Sequence, residues 1–523
     1  MTLNQTCLLL TGATGFIGHH LLAELLRRGR DGERIAVALR PPVPESIQRL
    51  TQLLRELGME LAAHISDGRV IPMRFDLTSG EPAAIPGVHV TSIIHAGAVT
   101  RFHADAIGEP QRTNVAGTQR LLDWARRNDV RDFHLVSSAY ACGRTAGPVP
   151  ETEYPARPDF HNDYEQSKWE AEQLCRRAAA QRNDLTLTVH RPSIVVGDYP
   201  NGRASKLDGF YVTVRATELL ARSYEGATRP QRHAIPLRIS GRPDDRQNIV
   251  PVDYVAAMIA AIQADTGWHG RTYHLTHPDP PTNAAIKAAM EAHFDIAGGR
   301  FIDPDLFDGL GLNDAERLFQ EVSRPVAHYF TDTPQFARAN AEQVERETGI
   351  GCPRYNEPDL RRLFRGATEA ASRARRARRR SVYANTRAAD PQCAIYFERF
   401  LPARIASSRV ARATAMDVTI RFIIEPHGGD WVCRFDRGQL TRVVAGHHHT
   451  GAIDFGYRAD VPTFYKAISG RAHPQEFFFG GGAAEVFGDI ERALKMAMIL
   501  NAFSREHPCE RETLVDEGAK LAC

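Results

Sequence analysis

The 523-residue chain is long enough for two or three domains, and its content of 43% hydrophobic and 24% charged residues is ordinary for a soluble globular protein. Its formal net charge of +2 excludes a global electrostatic preference for nucleic acid or for a membrane surface. The eight cysteines are scattered without metal-ligand spacing, and there is neither a basic leader nor an apolar run of membrane-spanning length, so we expect a cytoplasmic protein with no bound metal and no membrane span.

The first predicted elements form a phosphate-binding unit at the N-terminus. An apolar run at 7–10 predicts a buried parallel strand, and an amphipathic helix follows the glycine-rich stretch 11–18. In such a unit Gly12 permits a tight turn, Gly15 lets the backbone approach a pyrophosphate, and Gly18 allows close packing of helix on strand. The helix N-terminus then offers N–H groups to the phosphates, which favours dinucleotide binding over a turn in an unrelated loop.

The second predicted strand, at 35–39, ends at Arg40. In a dinucleotide-binding fold an acid at this place would bind the ribose 2′-hydroxyl, whereas a guanidinium suits a 2′-phosphate. Arg40 therefore favours NADPH over NADH, the alternative being an ordinary solvated arginine at a strand end. We also expect cofactor contacts from further loop and strand-end residues, namely Thr14, Phe16, Ile17, Asp76, Leu77 and Ala96.

Strands and helices continue to alternate along the chain. The further predicted elements are a helix at 45–63, a strand at 70–73, a strand with a small-residue exit at 92–98, a helix at 114–127, a strand at 133–137, a helix at 164–182, a strand at 185–190 and a late strand at 272–275. This order is typical of a doubly wound parallel α/β sheet. From about 192 to 365 the alternation loosens, and we expect this part to build the substrate side of the cleft.

Tyr164 and Lys168 stand four residues apart and therefore on one face of the predicted helix. A nearby ammonium lowers the pKa of a phenol, so Tyr164 is a candidate to exchange a proton with an oxygen whose carbon exchanges hydride with nicotinamide. This is the only Tyr-x-x-x-Lys in a chain of six lysines, although a surface Tyr–Lys pair is the alternative. Ser138 could donate a hydrogen bond to the same oxygen, and its neighbour Ser137 is the rival for that role.

Together these residues resemble an extended short-chain dehydrogenase/reductase. Two further motifs, 191–197 (RPSIVVG) and 248–256 (NIVPVDYVA), are similar to the fatty acyl-CoA reductase and thioester reductase branch. The resemblance implies a Rossmann fold, NADPH, and hydride transfer to an acyl thioester that gives an aldehyde or, further, an alcohol. It also implies that Asn114 belongs to a proton relay, that Lys168 holds the nicotinamide ribose, and that Ser138 and Tyr164 polarise the carbonyl.

The composition changes after residue 366. An arginine-rich run at 373–380 indicates a solvated helix end or an extended tether rather than a nucleic-acid or membrane-surface site. The stretch 393–515 resembles sterol carrier protein-2-type (SCP2) lipid-binding domains through 457–468 and 487–489. Apolar residues there could line a lipid tunnel or simply fill a small core, namely Phe464, Phe477, Phe478, Phe479 and Leu500.

The sequence thus predicts an extended reductase domain at 1–365 with a C-terminal substrate-side extension, an Arg-rich linker at 366–392 and a smaller α+β SCP2-like domain at 393–523. The expected activity is NADPH-dependent reduction of a fatty-acyl or related lipid thioester carried on coenzyme A or a carrier, with a hydrophobic lipid bound in the C-terminal domain. The alternatives are an extended short-chain dehydrogenase acting on a hydroxy or keto group of a sterol, polyketide or nucleotide sugar, and a lipid carrier without turnover.

Overall fold

The computed structural model describes residues 5–514 except 30–32, 85–86, 106, 146, 155, 308–310, 332–333, 385–389, 415–416, 426 and 472–483. The chain divides into two compact units. The first comprises Met1–Ser205, Ser240–Ala289 and His328–Gly366, and the second comprises Lys206–Ile239, Met290–Ala327 and Ala367–Cys523. Two segments of the predicted substrate-side extension thus group with the C-terminal part of the chain, whereas the contiguous division into three regions stays a prediction.

The strands of the two units are numbered together in chain order. They are β1 (Gln5–Thr11), β2 (Arg34–Leu39), β3 (Val70–Arg74), β4 (Val88–His95), β5 (Asp132–Val136), β6 (Pro148–Val149), β7 (Thr186–Pro192), β8 (Ile194–Val196), β9 (Arg238–Ser240), β10 (Ile249–Pro251), β11 (Thr272–Leu275), β12 (Arg300–Ile302), β13 (Gln335–Phe336), β14 (Val418–Glu425), β15 (Gly429–Asp436), β16 (Gln439–Ala445), β17 (Phe455–Asp460) and β18 (Ala484–Gly488).

The helices are numbered in the same way. They are α1 (Phe16–Arg28), α2 (Val43–Glu56), α3 (Leu61–Ser66), α4 (Gly117–Arg127), α5 (Asp163–Ala180), α6 (Phe210–Ser223), α7 (Arg229–Arg232), α8 (Val252–Ala264), α9 (Asn283–Phe294), α10 (Pro304–Phe307), α11 (Asp314–Ser323), α12 (Ala339–Thr348), α13 (Glu357–Ala384), α14 (Pro391–Ile395), α15 (Leu401–Ile405), α16 (Arg409–Ala413), α17 (Val461–Ile468) and α18 (Ile490–Glu506). Short 3-10 or π turns occur at Arg112–Ala116, Ala139–Cys142, Thr266–Trp268, Arg324–Phe330, Tyr396–Phe400 and Gly446–His448. Within the part of the chain that the structure describes, no helix combines the length and apolar character needed to cross a bilayer.

A seven-stranded parallel sheet organises the first unit. Its strand order is β11-β7-β5-β4-β1-β2-β3, which confirms the predicted doubly wound α/β fold. The chain winds outward from β1 to β3 and then returns to place β4 on the other side of β1. The carboxyl ends of β1 and β4 therefore flank a topological switch point, which is where ligands bind in open α/β sheets.

Each face of this sheet is covered by helices. Leucines of α1 and α2 and the apolar residues of α8 pack on one face, and α4 and α5 pack on the other. The inner strands are buried on both faces; neighbouring residues Leu9 and Leu10 of β1 and Ile93 and Ile94 of β4 are all fully buried. Continuous apolar runs rather than alternating patterns are the result expected for such strands.

The structure corrects one sequence-based expectation about helices and decides between two alternatives for another. The single helix predicted at 45–63 is two helices, α2 and α3, because the chain turns at Gly58 with a positive φ of 73°. Of the two alternatives given for the arginine-rich run, the structure has the helix end rather than the extended tether, because α13 continues from Glu357 through the run to Ala384. Arginine and alanine are strong helix formers, and Glu369 pairs with Arg373 one turn away, so local preferences favour the helix.

The C-terminal part of the second unit contains a five-stranded sheet of order β16-β15-β14-β17-β18, in which only β14 and β17 run parallel. Helices α17 and α18 lie against this sheet, and together they enclose an apolar cavity of about 760 Å³ including its open mouth. Phe464 and Leu500 line the cavity as predicted, with Tyr396, Phe422 and Tyr457 adding aromatic wall. The predicted lining residues Phe477, Phe478 and Phe479 lie outside the described residues.

Candidate active site

The loop between β1 and α1 is shaped by its glycines. Gly12 has a positive φ of 75°, and a Cβ at this position would lie 2.6 Å from the Gly97 nitrogen, so the loop and the exit of β4 come together only because residue 12 has no side chain. Gly15 donates its N–H to the Gly12 carbonyl at 2.8 Å. Gly15 also precedes α1 without a side-chain cap, so first-turn N–H groups remain available for a phosphate.

The other predicted cofactor residues lie at the same edge of the sheet. Arg40 directly follows β2 and is exposed, Asp76 and Leu77 follow β3, and Ala96 follows β4. The Asp76 carboxylate accepts hydrogen bonds from the N–H and the hydroxyl of Thr78, both at 2.9 Å, and so closes a local turn. Thr14, Phe16, Ile17 and Gly18 lie in the loop and the first turn of α1. The whole set follows the carboxyl ends of four adjacent strands, an arrangement that fits a dinucleotide.

A chain of buried hydrogen bonds, which the sequence did not reveal, joins this edge to Asn114. The Gly97 N–H donates to the Thr11 hydroxyl at 3.1 Å, and that hydroxyl lies 2.7 Å from His95 Nδ1. His95 Nε2 lies 3.0 Å from the hydroxyl of Thr118, which donates to the Asn114 carbonyl at 2.6 Å. Burial lowers the pKa of His95 to about 3, so the imidazole is neutral and the hydrogens can be assigned along the chain.

Tyr164 and Lys168 lie on the first turns of α5, which begins after the capping residue Asn162. The Tyr164 side chain is partly exposed, whereas Lys168 is buried and donates from Nζ to the Val136 carbonyl at 2.7 Å. Burial lowers the pKa of Lys168 to about 8. The ammonium is thus held at the carboxyl end of β5, one helical turn from the phenol, where it can favour the phenolate form.

The neighbouring hydroxyls of Ser137 and Ser138 have different partners. Ser137 donates to the buried carboxylate of Glu172 at 2.9 Å, so its hydrogen is used inside the protein. The Ser138 oxygen accepts from the Tyr140 N–H at 3.2 Å, which leaves the hydroxyl hydrogen for an external acceptor. This difference favours Ser138 over Ser137 for binding a substrate oxygen.

Asn114 lies in the π turn Arg112–Ala116, a local irregularity that often occurs at functional sites. Its side chain accepts from the Val99 N–H at 2.8 Å and donates to the Val99 carbonyl at 3.0 Å and to the Ser167 hydroxyl at 2.8 Å. The amide therefore ties the exit of β4 to the helix that carries Tyr164. Its expected part in a proton relay stays a prediction.

Glu172 and Arg191 form a buried ion pair beside these residues. Both side chains are fully buried, with 2.5 Å between Arg191 Nη2 and Glu172 Oε1. Burial alone would raise the pKa of Glu172, but Arg191 and Arg176 lower it. Arg191 also donates to the carbonyls of Pro150 and Thr152. In the sequence, the only indication that Glu172 belongs to the site is its position one helical turn after Lys168.

Two regions of the chain match models of known protein families. Residues 10–259 match the model of the family described as male sterility protein, and residues 397–501 match that of the SCP-2 sterol transfer family. The first match covers the glycine loop together with Asn114, Ser138, Tyr164 and Lys168, and the second covers the five-stranded sheet. Each region is therefore similar to the family whose model it matches, residues 10–259 to the male sterility family and residues 397–501 to the SCP-2 sterol transfer family.

Individual proteins are similar to parts of the chain. The isonitrile lipopeptide synthase of Streptomyces coeruleorubidus is 31% identical over 218 residues, covering 40% of this chain and 14% of that protein. The aldehyde reductase lnbA of Aspergillus flavus is 26% identical over 305 residues, covering 55% and 28%. The chain thus spans less than a third of either relative. The solved terminal R domain of the myxalamid PKS-NRPS pathway has the same fold, with a TM-score of 0.57 at 23% identity over 71% of this chain and 92% of that one.

Proposed function

We propose that the protein is an NADPH-dependent reductase of fatty-acyl or related lipid thioesters, which it converts to an aldehyde, with an alcohol as the alternative end product. The main support for the proposal is that one chain combines two features. The candidate active site lies in residues 10–259, and an apolar cavity of about 760 Å³, including its open mouth, lies in the C-terminal region that matches the SCP-2 family. The wall of this cavity is formed mainly by apolar and aromatic side chains such as Phe464, Leu500 and Tyr457, which is the character of small-ligand pockets. The similarity to a lipopeptide synthase supports a lipid thioester on a carrier or on coenzyme A as the substrate.

The proposed chemistry assigns one role to each residue of the site. When bound, NADPH supplies the hydride for the carbonyl carbon of the thioester. Tyr164 donates a proton to the carbonyl oxygen, Ser138 donates a hydrogen bond to that oxygen, and the Lys168 ammonium favours the phenolate that remains. Collapse of the resulting hemithioacetal returns the proton to Tyr164 and breaks the carbon–sulfur bond. The products are an aldehyde and a thiol, which takes its proton from solvent.

The decisive experiment follows NADPH oxidation and thiol release together. Acyl-CoAs, acyl-carrier thioesters and ketones of related structure are offered separately, and the products are identified by mass spectrometry. We expect one thiol per NADPH oxidised if the product is an aldehyde, and one thiol per two NADPH oxidised if the product is an alcohol. Oxidation of NADPH with ketones but without thiol release would instead identify a hydroxy/keto dehydrogenase. A lack of oxidation with every substrate would favour a lipid carrier without turnover.

The cofactor preference rests on Arg40. We predict that Arg40→Ala removes about a ten- to hundredfold preference for NADPH over NADH, because a charged hydrogen bond to the 2′-phosphate contributes ~1.5–3 kcal/mol. The measurement is KM for both cofactors. Arg74, an exposed arginine at the end of the neighbouring strand β3, provides the matched control in Arg74→Ala. An NADPH/NADH ratio unchanged by Arg40→Ala would assign the phosphate to another residue.

In the proposed function, the cavity binds the acyl chain of the substrate. Each methylene removed from water contributes ~0.8 kcal/mol, so a long chain favours an apolar cavity strongly. A cavity on the same polypeptide as the reductase raises the effective concentration of the substrate without any new contact to the reacting carbon.

We predict that Ala497→Phe weakens binding of a fluorescent fatty-acid analogue by about tenfold or more, because the ring takes the space of several methylenes inside the cavity. KM for long acyl substrates should rise while KM for short ones stays the same. Met498→Phe is the control, since Met498 is the next residue on α18 and is 40% exposed. Equal lipid affinity in both variants would make the cavity a feature of core packing only.

The proposed location of the protein is the cytoplasm. Of the seven cysteines in the described ranges, six are buried. Burial raises the pKa of several of these thiols, for example that of Cys7 to about 11, which makes them poor nucleophiles. Buried, weakly nucleophilic thiols are compatible with a reducing compartment, and the cytoplasmic location expected from the sequence is kept as part of the proposal.

A further inference from the structure

Tyr329 connects segments of the first unit that are far apart in sequence. It lies in the 3-10 helix Arg324–Phe330, beyond the region 10–259 that matches the reductase family, and only 6% of its surface is exposed. No sequence pattern singled it out. Its hydroxyl and its ring contact different parts of the candidate active site.

The hydroxyl of Tyr329 binds the start of the helix that carries Tyr164. It donates to Glu165 Oε1 at 2.9 Å and accepts from Asn162 Nδ2 at 3.4 Å. Glu165 is fully buried, and its other oxygen accepts from the His161 N–H at 3.0 Å. Asn162 is the N-cap of α5, because its side-chain oxygen accepts from the Glu165 N–H at 2.9 Å. The Tyr329 hydroxyl therefore fixes the first turn of α5.

The ring of Tyr329 packs on the two other segments. It meets the Tyr140 ring edge to face at 4.8 Å between centroids, and Tyr140 is the residue whose N–H donates to Ser138. It also lies 6.2 Å from the Phe102 ring, which in turn packs against the Tyr164 ring at 6.3 Å. One buried side chain thus touches the turn after Ser138, the aromatic neighbour of Tyr164 and the N-terminus of α5.

We propose that Tyr329 is a positioning residue that sets the separation of the Ser138 and Tyr164 hydroxyls through Tyr140, Phe102 and Glu165. Both hydroxyls must reach one substrate oxygen, and a misplacement of about 1 Å can lower a rate by ~10²-fold. A tyrosine that only fills space would affect stability without a specific effect on turnover. The inference rests on the roles proposed above for Ser138 and Tyr164.

The test compares two conservative substitutions. Tyr329→Phe keeps the ring and removes the hydroxyl, and we expect kcat to fall by about ten- to hundredfold while the dissociation constant of NADPH, measured by fluorescence, changes less than twofold. Tyr273→Phe is the matched control, since Tyr273 is also buried in the same unit and its hydroxyl donates to the Trp268 carbonyl.

Two results would overturn the inference. One is a Tyr329→Phe enzyme with wild-type kcat. The other is a loss of kcat that reflects general destabilisation. Such a loss would be accompanied by an equal loss of NADPH affinity, or Tyr273→Phe would show the same loss of kcat at the same change in Tm. Failure of this inference can be distinguished from failure of the proposed function. In the second case the wild-type protein would also lack turnover with thioesters.

Discussion

Substitution of Tyr164 by phenylalanine is expected to lower kcat by ~10²-fold or more, the usual scale for the loss of a general acid or base. The phenol is needed when the substrate oxygen gains its proton, whereas most of the proposed contacts to NADPH lie at the glycine loop and the strand ends. The dissociation constant of NADPH should therefore stay nearly the same. Steady-state kinetics and fluorescence titration of the cofactor measure the two quantities independently.

Lys168→Ala provides the contrast to this variant. Its ammonium is proposed to favour the phenolate and to hold the nicotinamide ribose, so both kcat and cofactor affinity should fall. A Tyr164→Phe enzyme with near-wild-type turnover would remove Tyr164 from the mechanism. A loss of cofactor affinity as large as the loss of kcat would instead indicate that the start of α5 has been displaced.

Glu172→Ala is expected to reduce the free energy of unfolding by about 3–5 kcal/mol, the cost of removing one partner from a buried ion pair. The substitution leaves the fully buried Arg191 guanidinium without its carboxylate and the Ser137 hydroxyl without its acceptor. Urea denaturation monitored by circular dichroism measures the change. Glu170→Ala, two residues away on α5 and partly exposed, is the control and should cost less than about 0.5 kcal/mol.

Acid pH offers a second measurement on the same pair. Because the folded protein lowers the pKa of Glu172 below its ordinary value of 4.5, the pair contributes its stability above that pH and loses it as the pH falls below. Glu172→Gln should therefore show a flatter loss of stability in acid than the wild type. A cost of Glu172→Ala no greater than that of Glu170→Ala would show that Arg191 finds compensation elsewhere.

The parts of the fold that the sequence predicted are those that depend on local patterns. The glycine loop, the strand before it and the helix after it follow from residues within one short stretch, and β11 occupies the predicted range 272–275 at the edge of the sheet. The break between α2 and α3 was missed because Leu54 and Leu57 continue the helical apolar pattern across it. There, the backbone freedom of Gly58 outweighs the periodicity.

The parts that the sequence left open depend on distant contacts. Ser137 and Ser138 are adjacent hydroxyls, and only the position of Glu172 on another element distinguishes them. Tyr329 lies 165 residues after Tyr164, and its hydrogen bond to Glu165 has no local signature. Likewise, no pattern within residues 206–239 or 290–327 indicates that they group with the C-terminal part of the chain.

The buried hydrogen bonds from Gly97 to Asn114 have a consequence for how this sequence can evolve. Thr118 must donate to a carbonyl, so it accepts from Nε2–H of His95, and the bare Nδ1 of that neutral ring must accept from Thr11. A change at one position would set donor against donor or acceptor against acceptor, at a cost of ~1–3 kcal/mol for a buried unpaired group. Positions 11, 95 and 118 should therefore covary among related sequences, with changes inherited as a set.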